Sequence, residues 1–569
     1  MKKIRCLFLL LTAFMMLPFS HSALGEKIPG TVRVLLTKLN LTDRVEISLD
    51  GSYTLGALSF QRGRDLIVSC ASGPLMVYYE GMAMDAGKSL TLTRHSVEEG
   101  KENGLRFNGA YELHPGDLVL TIQNRQLRPV LHAPMEEYLL GVVPYEMSDS
   151  FPLEALKAQA IAARTYAMKR IGAHDDYDVV DNTNDQAYYG VKKEHANAVI
   201  AVRETAGICG YYKGKLADCY YSASNGGQTE LVAHVWGNDG GDYGYLKMFD
   251  DPYDVENRES VVKTAALPKK ITQPSQLGPL KEAILGALSE AMEAKGYDAD
   301  MEHIRVVGIA DAQMDLPLYT DSPSKIMTLL KLSLMVEGQR LITVDEEEEI
   351  SMFALPQTPS PQKREIWSAM EALPEPIMIS LDVFPVVEKA CDLSINGGNN
   401  EIITVRETDD AFILESRRYG HGVGMSQRGA QCMAGSYGWN YAQILRFYYP
   451  GMDLKTVKYT FKMPPALSQS FLATPGPAAT PTPRPTAKPL LSTPAPNQWI
   501  AIVNNIGVNS TLNLRAESNT QSAILRQLYY GQQLIVLEDL GDWLHVRTDD
   551  ITGYVMRSFV NPLGSPETP

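Results

Sequence analysis

The fold is best predicted from the stretch Glu137–Lys169, which reads EYLLGVVPYEMSDSFPLEALKAQAIAARTYAMK. Its beginning, Glu137–Val143, is apolar and partly β-branched, which is typical of the end of a buried strand. Pro144 interrupts that run. The polar residues Ser148–Ser150 are typical helix caps, and Pro152 suits the first turn of a helix. The stretch therefore predicts a strand, a turn and then a helix.

Apolar residues recur at helical spacing after the turn. They are Leu153, Leu156, Ala160, Ala163 and Ala167. This spacing predicts an α-helix with one buried face. Because most of these side chains are alanine, another element is expected to pack very close to the helix.

Glu146 is the carboxylate at the predicted junction, with Val142, Val143 and Met147 beside it. An apolar setting raises the pKa of a carboxyl group, as a general acid at neutral pH requires. Most glutamates at such junctions are solvated, and buried ones are usually paired. From these residues alone, a structural acid is the more common interpretation and a catalytic acid the more specific one.

Three separated motifs resemble the SpoIID/LytB family of bacterial sporulation and cell-wall proteins. The first is GVVPYEM followed by FPLEALKAQAIAARTYA, the second YYSASNGGQTE (Tyr220–Glu230) followed by VWG and DPYD, and the third GHGVGMSQRGAQ (Gly420–Gln431). The resemblance extends over about residues 30–255 and 400–452. Both glycine-rich motifs predict tight turns that bring the backbone close to a ligand.

The resemblance implies lytic transglycosylation of peptidoglycan, at the bond between N-acetylmuramic acid and N-acetylglucosamine. Glu146 would protonate the glycosidic oxygen and then accept the proton of the muramic acid C6 hydroxyl, which attacks C1. No cofactor is expected. The implied substrate-binding residues are Gln159, Arg164, Ser224, Asn225, Gly226, Gly227, His421, Ser426 and Gln427.

Two alternatives stay open at this stage. The resembling LytB branch implies a non-catalytic, wall-binding partner of an N-acetylmuramoyl-L-alanine amidase, in which Glu146 is structural. Plain hydrolysis requires the same acid, so the sequence does not separate it from transglycosylation. Some family members carry zinc, but Tyr221 stands where a histidine is common and His234 alone does not rebuild a ligand set. We therefore expect no bound metal.

The composition limits the classes of binding partner and the cellular location that we expect. The chain has 569 residues and a formal net charge of −15. This charge argues against nucleic acid and anionic lipid as partners. Residues 1–25 combine Lys2, Lys3 and Arg5 with an apolar run that is short for a membrane span, which predicts a secretory signal or signal anchor. We expect an exported, cell-wall or extracellular protein whose membrane contact is limited to this segment if it is not cleaved.

The predicted fold class is α+β, a β-rich core with a few packed helices, plus a small all-β SH3-like barrel. The predicted parts are 1–25, the β-rich 26–135, the first half of the core 136–255, an insert 256–400, the second half of the core 401–463, a Pro/Thr/Ala-rich linker 464–498 and the SH3-like domain 499–562. In the last domain we expect Leu514, Trp543 and Val555 to be mostly core, and the resemblance to bacterial SH3 domains implies wall binding.

The insert departs from the resembling family. Its pattern predicts amphipathic helices around Leu280–Lys295 and Ser324–Met335, then an acidic run at Asp345–Glu349 and a proline-containing stretch at Pro356–Pro361. The pattern is compatible with three roles for the insert: a subdomain over the cleft, a surface that binds a partner, or decoration without a specific role.

Two smaller patterns concern the core. Cys209 and Cys219 flank a predicted three-residue hairpin loop, so that a disulfide and two buried thiols are equally compatible with the spacing. Tyr188 and Tyr189 suit either stacking on sugar faces or packing in the core. Ala196–Gly207 predicts a second helix.

Overall fold

The computed structural model describes residues 28–237, 240–345, 363–460, 463–465, 498–503, 511–529, 533–548 and 551–562. It forms two compact units, which divide between Ala473 and Thr474. The predicted signal, most of the predicted linker, Pro356–Pro361 and the acidic run beyond Asp345 lie outside the described residues.

The N-terminal part is built from two antiparallel sheets, except for one short parallel strand at an edge. Along Thr31–Leu35 and Arg44–Leu49, every second side chain is buried, as the predicted strand patterns require. One sheet has the strand order Leu105–Phe107, Arg44–Leu49, Arg64–Ser69, Met76–Tyr79 and Met82–Asp85. The other has the order Val179–Val180, Thr31–Leu35, Gln126–Pro134, Asp117–Gln123, Ser89–His95, Ser52–Leu55 and Leu58–Phe60. The β-rich character of this part is therefore confirmed.

The prediction of a strand over Glu137–Val143 is wrong. The preceding strand ends at Pro134, and the chain continues as two short helices, Met135–Leu140 and Val143–Glu146. The first helix buries Met135, Tyr138 and Leu139, a helical rather than an alternating spacing. Short apolar runs do not distinguish strand from helix, and here tertiary packing decided between them.

The Ala-rich helix is confirmed as Leu153–Arg170. Its predicted cap is wrong, because Pro152 occupies the N-cap position and no side chain caps the helix. Thirteen of its 18 residues are buried, so that the helix is buried nearly all round. The helices Ala196–Glu204, Gln427–Tyr437 and Tyr441–Tyr448 pack against it, at the close distance that small side chains permit.

Several short elements connect these parts. The remaining helices of the core are Val232–Trp236 and Pro252–Glu256, and a 3₁₀ turn lies at Thr37–Leu39. Further 3₁₀ turns lie at Pro274–Leu280 and Met301–His303 in the insert and at Arg557–Phe559 in the C-terminal unit. Short strand pairings join Ile28–Pro29 to Tyr459–Thr460 and Tyr221–Ser222 to Met425–Ser426, and Ile208–Tyr212 lies between Lys215–Leu216 and Asp453–Thr456. The Tyr221–Ser222 pairing brings the second and third sequence motifs side by side.

The insert has a hydrophobic core of its own. Its first predicted helix is confirmed as Lys281–Glu293, with Ile284, Leu285, Leu288 and Met292 buried. The second prediction, a helix at Ser324–Met335, is wrong, because this region contains a loop and the strand Met327–Gly338. Leu330, Leu332, Leu334 and Val336 are the buried side chains there, and their spacing of two is that of a strand.

The strands of the insert belong to three sheets, the first of which also contains two strands that follow residue 400. Ala411–Arg417 lies between Lys263–Pro268 and Ile402–Glu407 in the first, and Leu341–Asp345 pairs with Lys363–Trp367 in the second. In the third, Met327–Gly338 pairs with Arg305–Pro317 on one side and with Glu371–Ala372 and Ile377–Asp382 on the other. A π-helical turn, Val383–Glu388, follows.

The hairpin near the two cysteines has a shorter loop than predicted. Tyr212 pairs with Lys215, which leaves a two-residue turn, and both turn residues have positive φ. In this register Cys209 does not face Cys219. Both are buried free thiols, and burial raises the pKa of each, so the structure agrees with the interpretation as small buried side chains.

The C-terminal unit is all-β, as predicted. Its sheet has the strand order Ile524–Tyr529, Thr511–Arg515, Thr552–Met556, Trp543–Arg547, Gln533–Asp539, Trp499–Val503 and Val560–Pro562. Leu514 and Val555 are fully buried, whereas Trp543 is only half-buried. Among the described residues of both units, no helix has the length and apolar character needed to cross a membrane.

Candidate functional site

Glu146 is the last residue of the short helix Val143–Glu146, between the N-terminal sheets and the Ala-rich helix. Its side chain is half-buried, and the neighbouring side chains of Val142, Val143 and Met147 are fully buried. The backbone N–H of Ala187 donates a 2.7 Å hydrogen bond to Glu146 Oε1. The structure thus provides the apolar setting that the sequence predicts.

The pKa of Glu146 is raised above its ordinary value. The largest cause is burial, which disfavours the charged form. Hydrogen bonding from the Ala187 N–H and the side chains of Gln427 and Tyr221, and the positive charge of Lys38, oppose the shift without cancelling it. A glutamic acid of this kind retains a larger protonated fraction near neutral pH than an exposed one.

A buried chain of hydrogen bonds leads from the interior to Glu146. The Tyr138 hydroxyl donates to Gln186 Oε1 at 3.0 Å, and Gln186 Nε2 donates to the Tyr221 hydroxyl at 2.9 Å. Gln186 is fully buried, so both ends of its amide have fixed partners. Because the Tyr221 oxygen already accepts from Gln186, its own proton is left for Glu146.

Two predicted site residues, Gln159 and Gln427, contact each other, and Gln427 is also hydrogen-bonded to Glu146. Gln427 Nε2 is 3.4 Å from Gln159 Oε1, and both side chains are almost fully buried. Gln159 Nε2 is buried without a hydrogen-bond partner in the described part of the chain. An unsatisfied buried donor is uncommon and costs free energy, and here it belongs to the partner of Gln427, which is itself hydrogen-bonded to Glu146.

A cavity of about 450 Å³ opens on the far side of Tyr221. It is lined by Tyr166, Arg170, Thr183, Asn184, Asp185, Tyr220, Tyr221, Trp236 and His421. Half of the Trp236 surface is exposed. Its ring centroid lies 4.7 Å from that of Tyr220 and 4.9 Å from that of His421. Aromatic faces beside polar groups are suited to binding sugar rings.

The polar groups of the cavity are held by neighbours. Asp185 accepts hydrogen bonds from the Tyr166 hydroxyl at 2.9 Å and from the Val180 N–H at 2.8 Å. The Arg170 guanidinium lies over the Tyr166 ring and donates to Asp218. These contacts fix a carboxylate and a guanidinium at the edge of the aromatic surface.

His421 lies in the wall of the cavity, where the resemblance places a binding residue. Its Nδ1 accepts from the Val423 N–H at 3.0 Å, so Nε2 carries the proton. Burial lowers the pKa of His421 to about 4, and this imidazole is therefore neutral at pH 7.

Three predicted binding residues contact buried acids instead of the cavity. Asp254 accepts from the Ser224 hydroxyl at 2.7 Å, from the Asn225 N–H at 2.9 Å and from the Ser426 hydroxyl. Asn225 Nδ2 also donates to Asp251 at 2.8 Å. These bonds join the second motif, DPYD and the third motif, so that they fix the loops around the cavity.

The predicted turn at Gly226 and Gly227 is confirmed, with φ values of 71° and 101°. A Cβ at Gly226 would lie 2.8 Å from the backbone nitrogen of Arg418. Arg418 is fully buried and donates to Asn225 O, Gln228 O and Glu230. The glycine thus allows the two motifs to approach each other closely.

Arg164 is fully buried on the Ala-rich helix and does not line the cavity. Its guanidinium forms two hydrogen bonds with the Glu136 carboxylate, at 2.9 and 2.7 Å. It also donates to the carbonyls of Ile208 and Val202. Arg164 thereby connects the helix Met135–Leu140, the Ala-rich helix and the strand Ile208–Tyr212.

The residues of the cavity wall that sequence reasoning missed include Tyr166, Arg170, Tyr220, Tyr221 and Trp236. A signal was present for two of them, because Tyr166 and Arg170 are four residues apart on one helix and must share a face. Trp236 belongs to the quoted VWG, but its exposure was not evident. Of the two tyrosines predicted to stack or pack, Tyr188 is buried and Tyr189 is exposed.

Comparison with known proteins agrees with this architecture. Residues 123–212 match the SpoIID family (Stage II sporulation protein), and these residues include Glu146 and the whole Ala-rich helix. This region of the chain is therefore similar to the SpoIID family. Residues 510–561 match the bacterial SH3 domain family, so the second predicted resemblance is confirmed as well.

Three relatives illustrate the extent of the similarity. The amidase enhancer of Bacillus subtilis is 30% identical over 56% of this chain and 40% of its own length. An uncharacterized protein of Brachyspira hyodysenteriae is 26% identical over 74% of this chain and 92% of its own length. Stage II sporulation protein D of Bacillus subtilis is 30% identical over 26% of this chain and 47% of its own length. The chain thus spans less than half of the two Bacillus subtilis relatives.

Proposed function

We propose that this chain is a cell-wall protein that cleaves peptidoglycan glycan strands as a lytic transglycosylase, with Glu146 as its acid and base. The observation that carries the proposal is a half-buried glutamate of raised pKa that is hydrogen-bonded to Tyr221, a residue of the wall of a cavity rich in aromatic side chains. The similarity to the SpoIID family and the names of the relatives favour a wall substrate.

The chemistry requires one carboxyl group that changes its protonation state. Protonated Glu146 gives its proton to the glycosidic oxygen while the bond from C1 to that oxygen breaks. The resulting charge at C1 is stabilised by nearby dipoles. Ionised Glu146 then accepts the proton of the muramic acid C6 hydroxyl as its oxygen bonds to C1. No water is consumed, and Glu146 ends in its starting state.

The surroundings of Glu146 support both halves of this cycle. Burial favours the protonated acid, while the Ala187 N–H and the Tyr221 hydroxyl favour the carboxylate. A side chain under these opposing influences exchanges a proton at modest cost. Tyr220 and Trp236 offer flat surfaces for the sugar rings that flank the cleaved bond.

The C-terminal SH3 domain supports attachment to the wall. It carries a groove of about 790 Å³ whose lining includes Asn519, Trp543 and Arg557. An aromatic ring and a cation in one groove are suited to a polar polymer. Trp543 lines this groove and is only half-buried, in contrast to Leu514 and Val555.

Product analysis by mass spectrometry tests the proposal. Purified protein and its Glu146→Gln variant are incubated with glycan strands that lack stem peptides. We expect 1,6-anhydro-muramic acid ends from the parent protein and none from the variant. Reducing ends would replace transglycosylation by hydrolysis with the same acid, and intact strands with both proteins would exclude the enzymatic proposal.

A second candidate is favoured by the name of one relative, the amidase enhancer. On this proposal the chain binds the wall and increases the activity of an N-acetylmuramoyl-L-alanine amidase without cleaving glycan. Amidase rates measured with parent protein and with Glu146→Gln distinguish the two. Equal enhancement by both proteins, without glycan cleavage, would establish the modifier.

A further inference from the structure

The insert contacts the core at the helix that carries Trp236. The loop 318–326 connects its two long strands, and the Tyr319 ring in this loop stacks on the His234 imidazole with a centroid distance of 3.7 Å and an interplanar angle of 7°. His234 lies two residues before Trp236 in the helix Val232–Trp236. This loop therefore contacts the helix two residues before Trp236, which lines the cavity.

Tyr319 also forms a hydrogen bond at the end of that helix. Its hydroxyl donates to the His234 carbonyl at 3.0 Å. Carbonyls in the last turn of a helix have no partner within the helix. The insert supplies one here and thereby fixes the end of the helix at which Trp236 lies.

Gln228 anchors the same loop to the second motif. Its Nε2 donates to Pro323 O at 2.9 Å, and its Oε1 accepts from the Lys325 N–H at 2.8 Å. The Gln228 side chain is buried, and Lys325 additionally pairs with Asp250 at 2.8 Å. The loop is thus held at both ends.

A second contact of the insert reaches the other side of the cavity. The side-chain amides of Asn396 and Asn400 donate to the Gly420 carbonyl, at 3.4 and 3.1 Å. Glu401 shapes this loop by accepting the N–H groups of Ile395, Asn396 and Asn400. Gly420 precedes His421, which lines the cavity.

We propose that the insert, residues 256–400, positions two walls of the cavity, with Tyr319 acting through Trp236 and Asn400 acting through His421. The proposal rests on the proposed function for the identity of the ligand, a glycan strand. Tyr319 and Asn400 are positioning residues, since neither lines the cavity. The insert thereby contributes to the shape of the binding site without lining the cavity.

Binding measurements in an inactive background test this role. In Glu146→Gln protein, we would measure the affinity for a tetrasaccharide of alternating N-acetylglucosamine and N-acetylmuramic acid. Tyr319→Phe removes the hydrogen bond and keeps the ring, and we expect a rise in Kd of about fivefold. Tyr78→Phe is the matched control, an exposed tyrosine of the N-terminal sheet that undergoes the same chemical change.

A double-mutant cycle shows whether the effect passes through Trp236. We expect Tyr319→Phe to leave the Kd unchanged when Trp236 is already alanine, because the wall that Tyr319 positions is then absent. An equal rise in Kd in both backgrounds would overturn the proposed coupling.

A ligand-free measurement separates this inference from the proposed function. Iodide quenching of Trp236, obtained by difference from Trp236→Phe protein, is expected to increase in Tyr319→Phe and not in Tyr78→Phe. Unchanged quenching would overturn the positioning role even if glycan binding were strong. Changed quenching without any glycan binding would support the positioning role and contradict the proposed ligand.

Discussion

Glu146 and Asp254 are two acids of the N-terminal unit with opposite surroundings. Asp254 is fully buried and accepts from the hydroxyls of Ser224 and Ser426 and from a backbone N–H. Glu146 is half-buried and lies behind Tyr221, which lines the cavity. A carboxylate surrounded by buried donors has no oxygen to offer a ligand, so Asp254 holds loops together whereas Glu146 remains able to exchange a proton.

The largest expected effect is the loss of activity in Glu146→Gln. Removing a general acid typically reduces kcat by 10² to 10⁴, and we expect about 10³-fold. The melting temperature is expected to stay close to that of the parent, because the amide is the same size and the site is half open. Glu154→Gln, which alters an ion pair with Lys157 on the Ala-rich helix, serves as the control and should retain activity. A large loss of stability in Glu146→Gln would make it a structural acid like Asp254.

Asp254→Ala is expected to have the reverse outcome. Several donors, among them Ser224, Asn225 and Ser426, lose an acceptor inside the protein, and unsatisfied buried groups cost about 1–3 kcal/mol each. We expect the free energy of unfolding to fall by about 3 kcal/mol, measured by chemical denaturation followed by circular dichroism. Asp250→Ala, at an exposed ion pair with Lys325, is the control and should change stability by less than about 1 kcal/mol. Full stability in Asp254→Ala would remove the distinction between the two acids.

A third acid, Glu388, is buried and has a raised pKa but lies away from the candidate site. Glu388 of the insert is almost fully buried against Glu401, and its Oε1 has no partner among the described residues. Burial, and then the charge of Glu401, raises the pKa of Glu388 from 4.5 to about 7. Glu146 is hydrogen-bonded to Tyr221, which lines the cavity, whereas no residue that influences the pKa of Glu388 lines it. A raised pKa alone therefore does not identify a catalytic residue.

The pH dependence of stability tests the assignment of Glu388. Below pH 4.5 the residue is protonated in both the folded and the unfolded state and has no effect. As the pH rises toward 7, ionisation stabilises the unfolded state, and the contribution of Glu388 to stability is lost. Glu388→Gln is therefore expected to raise stability at pH 8 by roughly 1–3 kcal/mol and to leave it unchanged at pH 4. Equal effects at both pH values would contradict the raised pKa.

The smallest expected effect is a shift of the pH profile in Tyr221→Phe. The Tyr221 hydroxyl lowers the pKa of Glu146, so its removal raises that pKa further. Activity that requires protonated Glu146 falls as the pH rises through this pKa. The alkaline limb of kcat/KM is thus expected to move upward, by up to about one pH unit. Tyr138→Phe, which affects Tyr221 only through Gln186, should cause a smaller shift in the same direction, and a downward shift in either variant would refute the hydrogen-bond chain.

Periodicity predicted the long elements of this chain and failed at short ones. The Ala-rich helix and the insert helix at Lys281–Glu293 extend over many residues, so that their spacing is unambiguous. The apolar runs at Glu137–Val143 and Ser324–Met335 fit either a helix or a strand over a few positions. Packing against neighbouring sheets and helices decided those cases.

The motifs located the site but did not separate its roles. Ser224, Asn225 and Ser426 belong to the same motifs as His421, yet they contact Asp254 or Asp251, whereas His421 lines the cavity. Residue type and spacing are equal evidence for both roles. Only side-chain direction distinguishes a group that holds a loop from one that faces a ligand.

The sequence by itself determined the domain content, the Ala-rich helix and the position of Glu146, because these depend on local spacing and on contiguous motifs. The tertiary structure decided what surrounds Glu146. Burial, the chain of hydrogen bonds through Tyr221, the exposure of Trp236 and the contact of Tyr319 with its helix all join residues far apart in the chain. A local pattern carries no information about such neighbours, since they are fixed only when the chain packs into one compact unit.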